Sequence, residues 1–151
     1  MYRTVMEVRR DGSEVYKYTH SRTTAYGGFK TKNGRILFVT NNGVIHVLDS
    51  KSGKMLKQIQ TGLSSCYSVQ GLRNGNYLIS SYSRNVVREL TPNGKVVWEY
   101  PMPQAYDARR LPNGNTLIAS HGQRKVIEVT RGKRVVQTYN VGTYVWRAHR
   151  R

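Results

Sequence analysis

The sequence has 151 residues, 38% of them apolar, and a formal net charge of +17 from 25 Lys and Arg against 8 Asp and Glu. That length is enough for one domain with a hydrophobic core, and no apolar run approaches the roughly 18 residues that a membrane-spanning helix needs. The single cysteine, Cys66, excludes an intramolecular disulfide. Because the N-terminal MYRTVMEVRRDGSEV also lacks the apolar region of a signal peptide, we expect a cytoplasmic location.

Residues 1–20 are predicted to form two strands joined by a turn at Arg10-Asp11-Gly12-Ser13. Three longer units follow, and each contains short β-branched runs such as ILFVT, TLIAS and KVIEV, with no apolar residues at helical spacing. The last residues repeat the beginning of such a unit. The predicted units are residues 26–60, 66–100, 105–139 and, in truncated form, 143–151.

Three markers recur in register along these units. An Asn-Gly turn returns after 41 and 39 residues, an aromatic residue returns after 41, 39 and 40, and a second turn glycine closes each full unit. Asn-Gly turns supply the positive φ that tight hairpins need, so each unit is predicted to be a four-stranded meander. A period near 40 residues is typical of β-propeller blades. The markers are Gly34, Gly75 and Gly114; Tyr26, Tyr67, Tyr106 and Trp146; and Gly53, Gly94 and Gly132.

The predicted fold class is therefore all-β: a β-propeller built from about 40-residue four-stranded antiparallel blades. It comprises three full blades plus partial blades at both termini. Residues 1–20 match the third and fourth strands of a blade, and residues 143–151 match a first strand, so a blade composed of both termini lacks its second strand.

Unpaired strand edges promote association between chains. Three arrangements are therefore open: a small four-bladed ring with one three-stranded blade, a ring of about eight blades from two chains, or a larger propeller completed by another polypeptide. Self-association is the favoured prediction, because repeats that cannot cap themselves often pair with copies of themselves.

The first strand of a propeller blade lines the central channel, so alternate residues of these strands are predicted to face the axis. The aromatic residues of opposite parity, Tyr67, Tyr106 and Trp146, would then pack between blades. One interpretation is a basic channel mouth that binds an anion, and the other is that Asp107 pairs with Arg109 or Arg147 inside the channel. The channel and anion-binding candidates are Ser68, Gln70, Asp107, Arg109, Arg147 and His149.

The charge excess favours a polyanionic partner such as nucleic acid, and the alternative is that it keeps the repeat surface in solution. Interleaved tyrosines would either stack on bases or pack within the sheets; they are Tyr82, Tyr100, Tyr139 and Tyr144. No sequence-specific nucleic-acid-binding motif occurs. The candidate basic surface consists of Arg110, Arg124, Lys125, Arg131, Lys133, Arg134, Arg150 and Arg151.

The sequence contains no HExxH, CxxC or GxSxG motif, so no catalytic residue, metal site or cofactor is predicted. His46 and Cys66 are expected to pack within the sheets. The predicted function is a non-enzymatic propeller scaffold or binding module that self-associates to complete a ring and carries a strongly basic surface. The first alternative is a polyanion- or nucleic-acid-binding protein.

Blade one, ILFVTNNGVIHVLDSKSGKMLKQI, resembles the blades of pyrroloquinoline-quinone-enzyme-like and NHL-like propellers. The runs RNGNYLIS and PNGKVVWEY of blade two, with their counterparts in blade three, also resemble arylsulfate sulfotransferase-like repeats. The resemblance implies a propeller fold and adds a second alternative, a fragment of a quinoprotein- or sulfotransferase-like enzyme. Quinoprotein blades usually carry a Trp after the Gly-Lys turn, which only Trp98 matches, and Tyr106 precedes Asp107 where sulfotransferase-like repeats place a His.

Overall fold

The computed structural model describes residues 4–19 and 24–149 and contains fourteen β-strands in these ranges, with no helix among them. No described segment is therefore a helix long and apolar enough to cross a membrane. The strands are β1 (Thr4–Val8), β2 (Glu14–Thr19), β3 (Ala25–Lys30), β4 (Arg35–Thr40), β5 (Val44–Asp49), β6 (Met55–Gln60), β7 (Cys66–Gly71), β8 (Tyr77–Ser81), β9 (Val86–Leu90), β10 (Val96–Pro101), β11 (Ala105–Arg110), β12 (Thr116–Ser120), β13 (Lys125–Val129) and β14 (Val135–Asn140).

These strands form three antiparallel four-stranded sheets and one hairpin. Each four-stranded sheet keeps its strands in sequence order: β3–β6 is blade one, β7–β10 is blade two and β11–β14 is blade three. The hairpin pairs β1 with β2. The predicted fold class, an all-β propeller with three full blades and partial blades around them, is confirmed.

The hairpin turns use the left-handed backbone region that the Asn-Gly pattern predicts. Gly34, Gly75 and Gly114 have φ of +75°, +84° and +85°. The last turn of blade three differs, because Lys133 rather than Gly132 adopts positive φ, at +68°. Lys133 N donates to Thr130 O as Gly94 N donates to Thr91 O in blade two, so the marker glycine of blade three stands one residue early.

The hydrophobic core lies between the blades rather than within any one of them. Each strand exposes one set of side chains to the preceding blade and the alternate set to the following blade. One cluster joins blades one and two through residues such as Leu37, Ile45 and Leu90. A second joins blades two and three through Leu78, Ile118 and others.

The partial repeats cover the two outer blades unequally. Val5, Tyr16 and Tyr18 of the hairpin pack against a cluster containing Phe38 on the leading side of blade one. Residues 141–149 pack on the trailing side of blade three, where Val145 is buried, but they form no strand although the sequence predicts one there. A first strand pairs with the second strand of its own blade, and no such partner lies among the described residues.

Candidate functional site at the blade junctions

Glu89, on the third strand of blade two, is a fully buried carboxylate. Its Oε2 accepts hydrogen bonds from Arg110 Nη2 at 2.8 Å and from Arg131 Nη1. Its Oε1 accepts from Asn76 Nδ2 at 2.8 Å and from Asn74 Nδ2 at 3.3 Å. The asparagines belong to blade two and the arginines to blade three, so the carboxylate joins two blades. We refer to Glu89, Arg110 and Arg131 as the carboxylate clamp.

The electrostatics of the clamp favour the ionised pair. Burial by itself would raise the pKa of Glu89, but the hydrogen bonds from Arg131, Asn76 and Asn74 outweigh it and hold the pKa below its ordinary value of 4.5. Arg110 was predicted as a surface residue, yet its side chain is only 12% exposed. It lies 5.0 Å from the centre of the Trp98 ring, and Trp98 Nε1 donates to Arg131 O at 2.9 Å. The clamp therefore links blades two and three, and the guanidinium of Arg110 is already paired with Glu89.

The same arrangement of amides recurs one repeat later. Asn115 Nδ2 donates to Glu128 Oε1 at 2.7 Å and Asn113 Nδ2 donates to the same oxygen at 3.3 Å. Glu128 is 4% exposed and lies 39 residues after Glu89. These glutamates and asparagines were missing from the sequence prediction. The signal that identifies them is an Asn-Gly-Asn turn followed 13 residues later by a strand glutamate, which occurs in blades two and three only.

A groove of about 910 Å³ runs along the turns that link first and second strands, and the clamp lies at its floor. Phe29, Leu72 and Tyr77 give it an apolar side. Glu89 is its acidic lining residue, and that charge is neutralised by Arg110 and Arg131. The cationic lining residues are Lys30, Lys32, Arg35, Arg73, Arg110 and Arg131.

Three predicted channel residues of blades two and three, Ser68, Gln70 and Asp107, accept hydrogen bonds from the neighbouring repeat. Ser68, 3% exposed, accepts from Ala108 N at 3.2 Å, and Asp107, 2% exposed, accepts from Ala148 N at 3.4 Å. Gln70 accepts from Arg110 N at 2.7 Å. These residues therefore do not form the accessible anion site that the sequence predicted. The reason is that both faces of each sheet pack against neighbouring blades, so the alternate side chains of a first strand point to the preceding and the following blade rather than to the axis.

The pairing of Asp107 with Arg109 that the sequence raised as an alternative is present, with Arg109 Nε 3.3 Å from Asp107 Oδ1. Arg147 and His149, the remaining channel candidates, are exposed. The structure therefore does not bring the six candidates together into one anion site. Instead, three of them connect backbone and side-chain groups of adjacent blades.

The aromatic residues at the start of the first strands form a row across successive repeats. The Tyr67 ring stacks on Tyr106 with centroids 4.4 Å apart, and Tyr26 and Trp146 meet the two ends of this pair edge-on at 4.9 Å each. Burial raises the pKa of both Tyr67 and Tyr106, so their phenols are neutral. His121 lies 4.2 Å from the Trp146 ring. These rings do pack against one another from blade to blade.

Of the tyrosines predicted to stack or pack, Tyr82 and Tyr100 lie beside other aromatic rings, with Tyr100 6.2 Å from Trp98. Tyr139 and Tyr144 are largely exposed, at 47% and 54%. The basic surface candidates Arg124, Arg131, Lys133 and Arg134 are exposed and Lys125 is half-buried. Arg150 and Arg151 lie outside the described residues.

Chemistry-bearing clusters are sparse in the described ranges. No group of three or more His, Cys, Asp or Glu side chains there is arranged to hold a metal ion. Cys66 is fully buried, and burial raises the pKa of its thiol to about 12. His46 is buried and stacks on Phe38 with centroids 4.5 Å apart. The expected packing of His46 and Cys66 within the sheets is confirmed.

No family model matches the chain, and no curated protein matches it. Solved structures match over nearly its whole length. A protein of unknown function from Bacteroides caccae has 20% identity and a TM-score of 0.76, covering 93% of this chain and 55% of that one. A catalytically inactive virginiamycin B lyase from Staphylococcus aureus with quinupristin has 14% identity and a TM-score of 0.71, covering 93% and 50%. The WD40 β-propeller domain of Doa1 has 14% identity and a TM-score of 0.72, covering 87% and 46%.

At these identities the likeness shows the fold alone, which is that of a β-propeller. The chain spans about half the length of the structures it matches. The matches do not single out the quinoprotein, NHL-like or sulfotransferase-like families among propellers.

Proposed function

We propose that the chain is a non-enzymatic β-propeller binding module whose open blade faces are covered by a second copy of the chain. The supporting observation is the trailing side of blade three. Tyr139 is 47% exposed and Val141 is 46% exposed. Ile59 of blade one has the register of Tyr139, and Met102 after blade two has the register of Val141. These two residues are only 4% and 3% exposed, because a following blade covers them. Apolar side chains at such a face are typical of a protein interface.

The test is the solution mass, measured by light scattering after size exclusion in high salt. High salt screens association that depends on charge alone. A species of at least twice the 17.3 kDa chain mass that persists as salt rises supports the proposal. A 17.3 kDa species at every accessible concentration contradicts it.

A second candidate function is polyanion binding in the basic groove. Of its six cationic lining residues, Arg110 and Arg131 pair with the carboxylate of Glu89 and Lys30 pairs with Glu7, so the charges proposed to contact a polyanion are those of Lys32, Arg35 and Arg73. The half-buried ring of Phe29 in the same groove offers a surface on which a base of a single strand would stack. The whole chain carries +17, which adds long-range attraction.

Fluorescence anisotropy with a labelled oligothymidine at increasing salt tests this candidate. The double variant Lys32→Glu/Arg73→Glu reverses two exposed charges of the groove. The matched control, Lys133→Glu/Arg134→Glu, makes the same charge change on the outer turn of blade three. Selective loss of affinity in the groove variant supports the groove, equal loss in both indicates unspecific attraction, and absence of binding at low salt eliminates the candidate.

An enzymatic role is the remaining alternative, because one matched propeller is a lyase and the blades resemble those of quinoproteins and sulfotransferases. The described side chain best placed for chemistry is His121, whose Nδ1 is buried without a hydrogen-bond partner in the described part of the chain. Incubation with a streptogramin B compound, and titration with pyrroloquinoline quinone, are direct tests. Conversion or binding that is abolished by His121→Ala would replace our proposal.

A further inference from the structure

The carboxylate clamp follows a rule of position within the repeat. The acid lies on the third strand of one blade, and the cations lie on the first strand and on the last turn of the following blade. At the junction of blades two and three these residues are Glu89, Arg110 and Arg131. An acid on the third strand and a cation on the first strand of the following blade also join the N-terminal hairpin to blade one, where Lys30 Nζ lies 2.5 Å from Glu7 Oε1.

The register of the strands supports this equivalence. Glu7 precedes the bulge of β1, at the position that Glu128 occupies before the bulge of β13. Lys30 ends the first strand of blade one as Arg110 ends that of blade three. The acid and the first-strand cation of the joint are therefore present at two junctions.

The junction of blades one and two lacks all three charges at once. Val47 pairs with the fourth strand where blade three has Glu128, so the acid is replaced by an apolar residue. Gly71 ends the first strand of blade two, and Pro92 lies 39 residues before Arg131. An unpaired buried charge is costly, so an acid and its cations are expected to occur together or not at all.

Glu128 faces the trailing side of blade three, and the residue with the register of Arg131 for that junction is Arg10. In the turn of the hairpin, Arg9 N donates to Ser13 O at 2.9 Å and Gly12 N donates to Arg9 O at 3.0 Å. In the last turn of blade three, Thr130 N and Lys133 N make the same two bonds, at 2.8 and 2.9 Å. Arg10 therefore corresponds to Arg131. By sequence, Arg150 stands 40 residues after Arg110, as Trp146 stands after Tyr106.

The hairpin also presents an open apolar face on the side away from blade one. Val8 and Met6 are 53% and 52% exposed. Leu90 and Val129, which hold the register of Val8 in blades two and three, are both fully buried because a preceding blade covers them. The open face of the hairpin is therefore of the kind that docks on the trailing side of a blade.

We propose that the hairpin β1–β2 of one copy docks head-to-tail on the trailing side of blade three of a second copy. In this interface the open apolar face of the hairpin, with Met6 and Val8, covers the trailing side of blade three, and Arg10 adds a cation to the carboxylate of Glu128. The inference deepens the proposed function, on which it rests, by naming the two surfaces and their orientation. The partner is a second copy because the surfaces match in both register and charge.

The test compares solution masses of four variants over a concentration series at physiological salt. Arg10→Glu reverses the proposed contact, and Arg9→Glu is the matched control, because it makes the same charge change on a neighbouring side chain that contacts Ser13 within the turn. Val8→Asp disrupts the apolar part, and Val96→Asp is its control, since Val96 is 41% exposed on the outer strand of blade two. We expect Arg10→Glu and Val8→Asp to weaken association at least tenfold while both controls match the wild type.

The outcomes separate this inference from the proposed function. If the wild type associates and Arg10→Glu and Val8→Asp associate equally well, the proposed interface is wrong and self-association stands. A monomeric wild type overturns both. A monomeric wild type whose thermal stability falls in Arg10→Glu but not in Arg9→Glu shows instead that the hairpin closes on blade three of its own chain, which also excludes the second copy.

Discussion

Replacing Glu89 by Gln tests how strongly the carboxylate clamp holds blades two and three together. The ionised carboxylate accepts hydrogen bonds from two arginines on one oxygen and from two asparagine amides on the other. A glutamine has one accepting and one donating end, so either orientation points an NH₂ group at donors. The substitution also leaves Arg110, only 12% exposed, without its counter-charge. We expect a loss of about 3 to 5 kcal/mol in the free energy of unfolding, as for other broken buried ion pairs.

Glu99→Gln is the matched control, because Glu99 also bonds an arginine within blade two, with Arg88 Nε 2.6 Å from its Oε2. The side chains of this pair are 43% and 27% exposed, so solvent screens it and the expected cost is about 0 to 1 kcal/mol. Urea unfolding followed by tryptophan fluorescence measures both, since Trp98 is buried beside the clamp. Equal costs for the two substitutions, or a cost of Glu89→Gln below about 1 kcal/mol, would refute the reasoning.

Four further predictions concern the turns, the thiol and the acid limb of stability. Lys133→Gly should stabilise the fold by roughly 0.5 to 1 kcal/mol in a urea titration, because φ of +68° strains a side-chain-bearing residue. Gly114→Val should lower the free energy of unfolding by about 2 kcal/mol or more, because Gly114 has positive φ, whereas Gly132→Val should cost little, because Gly132 does not. A Cβ at Gly114 would meet no neighbouring atom, so the cost would come from the backbone alone, and equal thermal melts of the two variants would contradict this. Cys66, whose pKa burial raises to about 12, should react with thiol reagents at pH 8 roughly a thousandfold more slowly in the folded than in the urea-unfolded protein. Because the pKa of Glu89 is lowered in the folded protein, its ionisation stabilises the fold above pH 4.5, and this stability is lost as pH falls through the folded pKa. Glu89→Gln should therefore reduce the dependence of the free energy of unfolding on pH in the acid range. An unchanged dependence would count against the assignment.

The fold was predictable because its signals are local and repeated. Gly75 and Gly114 adopt the positive φ that their Asn-Gly turns require, and the β-branched runs between the turns become the strands. The same local logic was wrong at Gly132, since the hydrogen bonds of that turn place Lys133 in the left-handed position. The strand expected over 143–151 depends on a partner strand, which is a tertiary requirement that no local pattern expresses.

The site was predicted less well, because it depends on which face of the strand each side chain occupies. Simple alternation predicted that Ser68 and Asp107 face the axis, but in the structure both faces of a first strand pack against neighbouring repeats, so neither set of side chains points into a channel. Glu89 and Glu128, and the turn asparagines that donate to them, were overlooked because the sequence places them at ordinary strand and turn positions. Only their shared recurrence in blades two and three, and their joint absence from blade one, distinguishes them from solvated polar residues.

The absence of all three charges from the junction of blades one and two indicates the role of the clamp. Blades one and two pack through an apolar cluster without any such charges, so the clamp is not required for blades to adhere. A buried ion pair adds little net stability over apolar packing, but it strongly penalises arrangements that leave one charge alone. If blade three docked on a surface carrying Gly71 and Pro92, Glu128 would meet no cation from them. In the proposed interface with the hairpin, it would meet Arg10. On the proposed interface, the charges at the junctions would therefore select which blade follows which, while the apolar faces supply the adhesion.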